Sequence, residues 1–579
     1  MSPTAIIPRS FLFTAEKSNP AINSSGSHIG FLSSASVYVI ATENLHTLSL
    51  AKAVTDAAMY KERLYSLNLS TGAIVSVSPL FTTTSHVVGT SSTHPEYLLT
   101  LSNSNTTTPH RTPNLYKSNI FTGKSSCILQ NDGHCTQYVA AHDFSACIVK
   151  RINPDNQAIE MLHVPLDMTD SDSGTPLPRR ITKTTTIVTT SAHSPTQNKI
   201  TTRQIITKQV VNGVPTVSEG NVWSQHESGS GGCCTQVHGF SKDLKSVYTS
   251  CFLDESSEYS SLVSVDLKTR EKKVLARGKN ADVVGCLVDP VTRFPWAHQT
   301  NKVKKSYGLV SNGADIGIVK DLAVLEYAFG FDGQWTVENM SQDGLIWVLR
   351  VKGRNCEPQK YYLYDRASFT PTLLFDSRPA LDKYVFAVTK TVQVFTRGGL
   401  AMLAHLTIPK GLEAPDASSD YTSYPLPLVV LLQSDASRMD RDDFGFNPYA
   451  QFFANRGYAV ISPQIRGMAG LGKTWRLQGS IKNHCNDIID AVNWCIFKGI
   501  ALQDKVAFYS KGIGQDELCR AIALKVLPVS HVLHHPILNV SYAQEYLDNV
   551  FGNSAQESSI KALVVKYLEG SRRDTAISL

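Results

Sequence analysis

The residues with the clearest chemical meaning lie at 506–514, where an apolar, strand-like run leads into Ser510, Lys511, Gly512, Ile513 and Gly514. A nucleophilic serine that follows a buried strand sits on a strained turn, so it needs small residues two positions before and after it, as in Gly-x-Ser-x-Gly. Gly514 fills the last small position. Gly512 stands where the serine would be, and glycine has no side chain that could attack a substrate.

Other residues nearby have nucleophilic or metal-binding side chains, but each lacks the neighbouring residues that this chemistry requires. Ser510 would serve as a nucleophile only in a register shifted by two, which puts the bulky Phe508 where the turn needs glycine. His531, His534 and His535 are metal-ligand types, yet no acidic residue or cysteine at ligand spacing accompanies them. We therefore favour structural histidines and predict no metal site.

A glycine-rich stretch begins at Arg466 and includes Gly467, Gly470 and Gly472. Its spacing fits neither a Walker phosphate loop nor a dinucleotide fingerprint. An architectural role, with Arg466 anchoring neighbouring loops, explains it better. We predict no cofactor.

The composition is that of an ordinary two-domain protein of 579 residues. Its formal charge of +6 is spread without long basic runs, which argues against a nucleic-acid partner. The chain has neither a secretory start nor an apolar run of about 18 residues, so we expect no membrane association. The 11 cysteines form no Cys-x-x-Cys pair, which favours a reducing, cytoplasmic location. The sequence does not indicate the oligomeric state.

After an N-terminal segment, 1–19, residues 20–380 alternate short strand-like runs with turn signals, and nothing there reads as a strong helix. Two themes recur. One runs from a strand through a turn into another strand, at 63–72, 115–123, 262–269 and 361–367. The other is a turn leading into an alternating strand, at 23–31, 141–148, 239–248 and 340–347. Such alternation favours an all-β propeller over a β-sandwich. The Thr/Ser-rich stretch 167–203 predicts an exposed insertion or a long blade hairpin.

Residues 381–579 have a different character, because strand and helix signals alternate. Apolar runs at 427–432, 458–463 and 506–509 read as strands, and 449–456 and 486–498 have helical spacing. Alternation of this kind predicts an α/β domain with a mostly parallel sheet.

Five motifs in this order carry a resemblance to a known family. They lie at 425–432, 450–460, 466–473 and 487–494, with the 506–514 segment after them. The chain resembles the prolyl oligopeptidase family of serine peptidases, in particular its acylaminoacyl-peptidase and dipeptidyl-peptidase-like members. The resemblance implies an N-terminal β-propeller and a C-terminal α/β-hydrolase domain.

The sequence departs from the family where the chemistry should lie. The family's serine position is Gly512, and Ser510 replaces the first glycine of the turn. The loop that typically reads His-Gly-Gly-Pro and shapes the oxyanion site reads Gln433, Ser434, Asp435 and Ala436. Only 67 residues follow Gly512, fewer than about 70 needed for the strands that should carry the triad Asp and His. We therefore expect a degenerate nucleophile turn, a degenerate oxyanion loop and an incomplete hydrolase domain.

These departures predict a catalytically inactive relative of the peptidases that acts by binding a peptide or protein partner. An alternative is a serine-type hydrolase of short or N-blocked peptides, of which this chain is a truncated form. A second alternative is a structural subunit of a larger assembly. The sequence does not choose among partners or substrates.

Overall fold

The computed structural model describes residues 26–510 with gaps, together with residues 530–533. The gaps are 34–35, 43–61, 69–73, 79–85, 92, 103–113, 132–134, 154–158, 169–178, 193–197, 212–220, 227–234, 255, 311–315, 331–332, 354–357, 377–380, 415–420 and 433–445.

The described strands of the N-terminal domain form five four-stranded antiparallel sheets and one three-stranded sheet. The first sheet contains β1 (Gly26–Ser33), β2 (Ser36–Thr42), β3 (Glu62–Asn68) and β4 (Ile74–Ser78). The second contains β5 (His86–Thr90), β6 (Tyr97–Ser102), β7 (Asn114–Asn119) and β8 (Ser125–Leu129). The third contains β9 (Cys135–Ala140), β10 (Ala146–Ile152) and β11 (Ile159–Pro165), and its fourth strand is β14 (Asn221–His226).

A separate hairpin interrupts the third sheet. Its strands, β12 (Arg179–Ala192) and β13 (Asn198–Val211), are each 14 residues long and pair only with each other among the described strands. The Thr/Ser-rich stretch therefore forms part of a long hairpin inserted between the third and fourth strands of one sheet.

The remaining three sheets follow in chain order. The fourth contains β15 (Gln236–Phe240), β16 (Ser246–Cys251), β17 (Ser261–Asp266) and β18 (Lys272–Arg277). The fifth contains β19 (Val283–Val288), β20 (Pro295–Asn301) and β21 (Lys305–Leu309), and the sixth contains β22 (Gly333–Met340), β23 (Ile346–Gly353), β24 (Lys360–Asp365) and β25 (Thr370–Asp376). Each sheet contacts the next, through β4 and β7, β5 and β9, β9 and β15, β15 and β19, β21 and β22, and finally β22 and β1. The ring closes, which confirms the predicted propeller.

The two sequence themes correspond to two different hairpins of the sheets. The strand–turn–strand theme joins third and fourth strands, and three of the four turn-led segments join first and second strands. In those three turns an aspartate carboxylate, of Asp143, Asp243 or Asp343, accepts a backbone N–H two residues later. The intervening residue has a left-handed φ of 59° at Phe144 and 57° at Leu244. Short polar side chains that cap such turns explain the recurrence.

The sequence predicts no strong helix in this domain. That prediction is wrong, because a helix lies between the fifth and sixth sheets. Helix α1 (Ile316–Leu325) continues into a single π-helical turn, Glu326–Gly330. Asp321 on this helix is 1% exposed and accepts hydrogen bonds from the Tyr364 hydroxyl at 2.9 Å and from Nε of Arg366 at 2.6 Å. Tertiary contacts of this kind stabilise a helix that local sequence signals do not reveal.

The C-terminal domain is built on a six-stranded sheet. Its strands are β26 (Thr389–Phe395), β27 (Ala401–Thr407), β28 (Leu426–Leu432), β29 (Ala459–Pro463), β30 (Ala501–Ser510) and β31 (Ser530–Leu533), in the spatial order β26-β27-β29-β28-β30-β31. The pairs β28–β29, β28–β30 and β30–β31 are parallel, and β26–β27 and β27–β29 are antiparallel. Three helices accompany the sheet: α2 (Pro448–Ala454), α3 (Lys473–Leu477) and α4 (Ile481–Phe497). The predicted α/β architecture with a mostly parallel sheet is confirmed.

Both faces of the central strand β28 are buried. Leu428, Val430 and Leu432 belong to the core cluster that includes Ile488 of α4, whereas Val429 faces the cluster containing residues of α2. A strand covered by helices on both faces reads as a continuous apolar run, which is why the sequence predicts it well. None of the described helices has the length and apolar composition needed to cross a membrane.

Candidate active-site region

The two degenerate motifs emerge from neighbouring strands. Strands β28 and β30 are parallel, and their last residues, Leu432 and Ser510, are paired in register. In open α/β sheets, ligands and catalytic groups gather outside the carboxyl ends of the strands. The chain leaves β28 directly into the altered loop and leaves β30 two residues before Gly512. Both sequence changes thus follow the same edge of the sheet.

Of the predicted site residues, only Ser510 lies within the described part of the chain. Gln433, Ser434, Asp435, Gly512 and Gly514 lie outside it. Ser510 is the last residue of β30, and its backbone is in register with Leu432 on one side and with Leu533 of β31 on the other. Ser510 therefore belongs to the strand.

The two residues before Ser510 pack on opposite faces of the sheet. Phe508 is 1% exposed and belongs to the main core of the domain. The Tyr509 ring lies 5.1 Å from the ring of Tyr449 and 5.3 Å from that of Phe453, measured between centroids. Burial, followed by the neighbouring Tyr449 hydroxyl, raises the pKa of Tyr509 above its ordinary value of 10.0. Tyr509 therefore stays neutral and acts as packing, not as a base.

A buried ion pair fixes the glycine-rich loop that follows β29. The Arg466 backbone N–H donates to Oδ2 of Asp487 at 2.8 Å, and the guanidinium donates to Oδ1 from Nε at 3.0 Å and from Nη2 at 2.7 Å. The Arg466 side chain is 9% exposed and that of Asp487 is 0% exposed. The loop is thereby tied to helix α4, and Arg466 has the anchoring role that its setting suggests.

The same loop contacts the propeller through Asp282, which lies just before β19. The Gly472 N–H donates to Oδ2 of Asp282 at 3.1 Å, and the Ser260 N–H donates to Oδ1 at 2.9 Å. The Asp282 N–H in turn donates to the Gly470 carbonyl at 3.1 Å. Burial raises the pKa of Asp282 above its ordinary value of 3.8. One carboxylate thus joins two domains through backbone amides.

Glu258 of the propeller caps the start of helix α3. Its Oε2 accepts from the Thr474 hydroxyl at 2.6 Å, and its carbonyl accepts from the Lys473 N–H at 2.8 Å. Gly472 has φ = 100°, and a Cβ at this position would approach Oε1 of Glu258 to 2.6 Å and Cε1 of Tyr259 to 2.9 Å. Only glycine fits this contact. The interface therefore depends on backbone close to the candidate site.

Some of the histidines and cysteines considered above lie within the described part of the chain. The backbone of His531 pairs with Phe508 in β31, and His534 and His535 lie outside the described residues. Among those that are described, no group of three or more His, Cys, Asp or Glu residues could hold a metal ion. Cys495 is fully buried in helix α4, and burial raises the pKa of its thiol above the ordinary value of 9.0. Such a thiol is packed rather than reactive.

Sequence reasoning missed the partners of the loop. The run at 487–494 marks a helix, yet nothing local shows that Asp487 pairs with Arg466. Asp282 and Glu258 carry no sequence signal at all, because their partners lie about 200 residues away along the chain.

Three comparisons relate this chain to known proteins. The model of the prolyl oligopeptidase family matches residues 444–510. Dipeptidyl aminopeptidase BIII of Pseudoxanthomonas mexicana is 26% identical over 459 residues, which are 78% of this chain and 56% of that protein. Dipeptidyl peptidase family member 6 of Caenorhabditis elegans is 26% identical over 269 residues, 44% of this chain and 35% of that protein. The chain thus spans about half the length of the first relative and a third of the second.

A solved structure gives the fold independently of sequence identity. The puromycin-hydrolyzing peptidase of Mycobacterium tuberculosis superposes with a TM-score of 0.54 at 12% identity, over 91% of this chain and 80% of that one. At this identity the likeness concerns the fold alone. The matched residues end at Ser510, directly before the turn that would hold the nucleophile. The family model, the curated relatives and the observed architecture thus agree in relating this chain to the prolyl oligopeptidase family.

Proposed function

We propose that this chain is a catalytically inactive relative of the serine peptidases of its family and that it acts by binding a peptide or protein partner. The observation that best supports this proposal is that β30 ends at Ser510, whose backbone pairs with strands on both sides. In the Gly-x-Ser-x-Gly arrangement the first glycine lies at the end of the strand and the serine two residues later. Counting from Ser510, that position is Gly512.

Loss of the nucleophile removes the covalent route. A serine peptidase forms an acyl-enzyme through a side-chain oxygen, and glycine supplies none. Ser510 does not replace it in this proposal, because a residue within a paired strand lacks the exposed, strained turn that a nucleophile requires. Phe508, in the position that would then need glycine, is buried in the core.

The altered loop after β28 adds a second loss. Oxyanion stabilisation depends on donors placed where negative charge develops, and removal of one donor typically costs about 100- to 1,000-fold in rate. Gln433, Ser434 and Asp435 occupy the family's oxyanion loop, and Asp435 brings a negative charge to a place that should favour an anion. Two independent changes at one edge of the sheet therefore favour binding over hydrolysis.

Burial of free thiols supports a reducing compartment, which we propose to be the cytoplasm. Cys147, Cys251 and Cys495 are buried, free thiols that lie in three separate core clusters. Secreted proteins tend to use such residues in disulfides.

The rival function is hydrolysis of short peptides, favoured by the likeness to two dipeptidyl peptidases. A fluorophosphonate probe and aminoacyl chromogenic substrates distinguish the two, applied to the wild type and to the Ser510→Ala and Gly512→Ser variants. We expect no labelling and no turnover in any of the three. Wild-type labelling that disappears in Ser510→Ala would overturn the proposal in favour of the hydrolase.

Activity gained by Gly512→Ser alone would show that the remaining site is competent, contrary to the argument from the oxyanion loop. A third function, a structural subunit, is tested by the native mass on size-exclusion chromatography with light scattering. A free monomer or dimer contradicts it, and a stable larger assembly supports it over the proposal made here.

A further inference from the structure

One mouth of the propeller channel holds a cavity of about 490 Å³. It is lined by the last residues of the first strands of five sheets, β5, β9, β15, β19 and β22, and by the turns that follow some of these strands. Cavities of about 300–1,000 Å³ accommodate small ligands. The volume therefore suits a molecule the size of a short peptide.

The cavity lies at the mouth away from the hydrolase domain. Strand β19 begins at Val283, next to Asp282, which contacts Gly470 and Gly472 of the other domain. The same strand ends at Val288, which lines the cavity. Six residues of strand span about 20 Å. A ligand in this cavity is thus separated from the degenerate active-site region by about the depth of the propeller.

Arg293 gives the cavity a cation that is near Asp289 but is not held in an ion pair among the described residues. It lies in the turn after β19, with a left-handed φ of 58°. The neighbouring Asp289 is already engaged, because its Oδ1 accepts from the Val291 N–H at 2.8 Å and its Oδ2 from the Thr292 hydroxyl at 2.6 Å. Within the described part of the chain, no side chain forms an ion pair with Arg293. Burial lowers the pKa of its guanidinium, as expected for a partly desolvated charge.

Two histidines line the same cavity with unused hydrogen-bonding atoms. Nδ1 of His142 and Nε2 of His238 are buried and have no partner among the described residues. Burial lowers the pKa of His238 to about 4, and burial together with the Arg293 charge lowers that of His142. Both rings are neutral near pH 7, so each presents a donor or an acceptor according to its tautomer.

The other carboxylates near this mouth are engaged with groups other than Arg293. Glu338 also lines the cavity, but its Oε1 accepts from Nε of Arg350 at 2.6 Å. The Asp143 carboxylate is taken by the N–H and the hydroxyl of Ser145. The cavity therefore combines a guanidinium that forms no ion pair among the described residues with two histidine nitrogens that have no partner there, a combination that suits an anion.

We propose that this mouth of the propeller binds a carboxylate, that of the free C-terminus of a short peptide, with Arg293 supplying the charge and His142 and His238 supplying hydrogen bonds. The proposal gives a chemical identity to the ligand in the peptide-binding part of the proposed function. It does not depend on the chain being inactive, because it concerns the opposite end of the propeller.

The test compares N-acetyl-trialanine with its C-terminal amide by titration followed with saturation-transfer NMR. We expect the free acid to bind at least tenfold more tightly than the amide, since a guanidinium–carboxylate contact is a charge-assisted bond. Arg293→Gln should abolish the difference, and Arg293→Lys should restore part of it. Arg277→Gln removes the same charge from an exposed position at the end of β18 and should leave the preference intact.

Equal affinity for acid and amide, or an unchanged preference in Arg293→Gln, would overturn the proposal. Thermal unfolding serves as a second readout: removal of an unpaired, partly buried cation should leave the melting temperature unchanged or raise it. Inorganic phosphate is the competitor that tests the source of the anion. Phosphate binding without any trialanine binding would also overturn the proposal. Fluorophosphonate labelling, measured separately, reports on the inactivity of the hydrolase domain and does not affect this result.

Discussion

The C-terminal domain contains two arginine–aspartate pairs with nearly the same geometry and very different burial. In each, one arginine donates its backbone N–H at 2.8 Å to one carboxylate oxygen and its Nε at 3.0 Å to the other. Arg466 and Asp487 are buried, whereas the Arg397 side chain that pairs with Asp490 is 50% exposed. Asp487 and Asp490 lie on the same helix, so Asp487→Asn and Asp490→Asn form a matched pair.

We expect Asp487→Asn to lower the free energy of unfolding by about 3–5 kcal/mol, because it leaves the buried guanidinium without a compensating charge. The asparagine amide would also place a donor against donors. Asp490→Asn should cost only about 1 kcal/mol, because water can solvate the released Arg397. The contrast between the variants, about 2 kcal/mol or more, isolates the effect of burial from that of hydrogen-bond geometry.

Equilibrium urea unfolding measures the two free energies, and amide hydrogen exchange locates the effect. Exchange should accelerate at residues 464–472 in Asp487→Asn, because the loop loses its tie to helix α4, and should remain slow there in Asp490→Asn. If the two variants lose equal stability, burial does not set the strength of these pairs and the reasoning is refuted. Loss of stability without faster exchange in the loop would refute the anchoring role alone.

Three further predictions concern the propeller and its interface. Burial lowers the pKa of His238 from its ordinary 6.5 to about 4 on folding. The free energy of unfolding of the wild type should therefore decrease as the pH drops through this window. In urea unfolding, His238→Asn should lose less stability than the wild type between pH 7 and pH 5. Asp321→Asn should cost about 3 kcal/mol by the same assay, because the guanidinium of Arg366 loses its buried partner. Thr474→Val removes the 2.6 Å bond to Glu258 and should cost about 1 kcal/mol, with faster amide exchange at the start of helix α3.

The parallel sheet and its helices could be predicted because their signals are local. Strand β28 is an uninterrupted apolar run. Helix α2 begins after Asn447, whose side chain accepts from two backbone amides, and it ends at Ala454, three residues before Gly457 with φ = 85°. Helix α4 begins five residues earlier than expected, at Ile481, where Ser480 caps it. Polar residues in its first turn hide the periodicity there. Local rules thus place the elements but not all of their ends.

The interface and the cavity could not be predicted, because they are assembled from distant parts of the chain. The Gly472–Asp282 bond joins residues separated by 190 positions. The cavity collects short runs of residues from the ends of several first strands, and Arg293 is distinguished only because it forms no ion pair among the described residues. Neither feature produces a periodic pattern or a motif in the sequence. Only the arrangement of the sheets reveals them.

The position of Gly472 shows how the two domains are held together without reactive side chains. Its contacts with Asp282, Glu258 and Tyr259 hold the loop near the degenerate site against the propeller, and they use backbone atoms and space rather than reactive groups. The stability they provide is independent of whether residue 512 is serine or glycine. A serine at a nucleophile turn is held in a strained conformation that costs about 1–3 kcal/mol, and glycine adopts such conformations with little strain. Under the proposed function, a glycine in place of the nucleophile would therefore relieve strain at the turn and leave the contacts of Gly472 with the propeller unchanged.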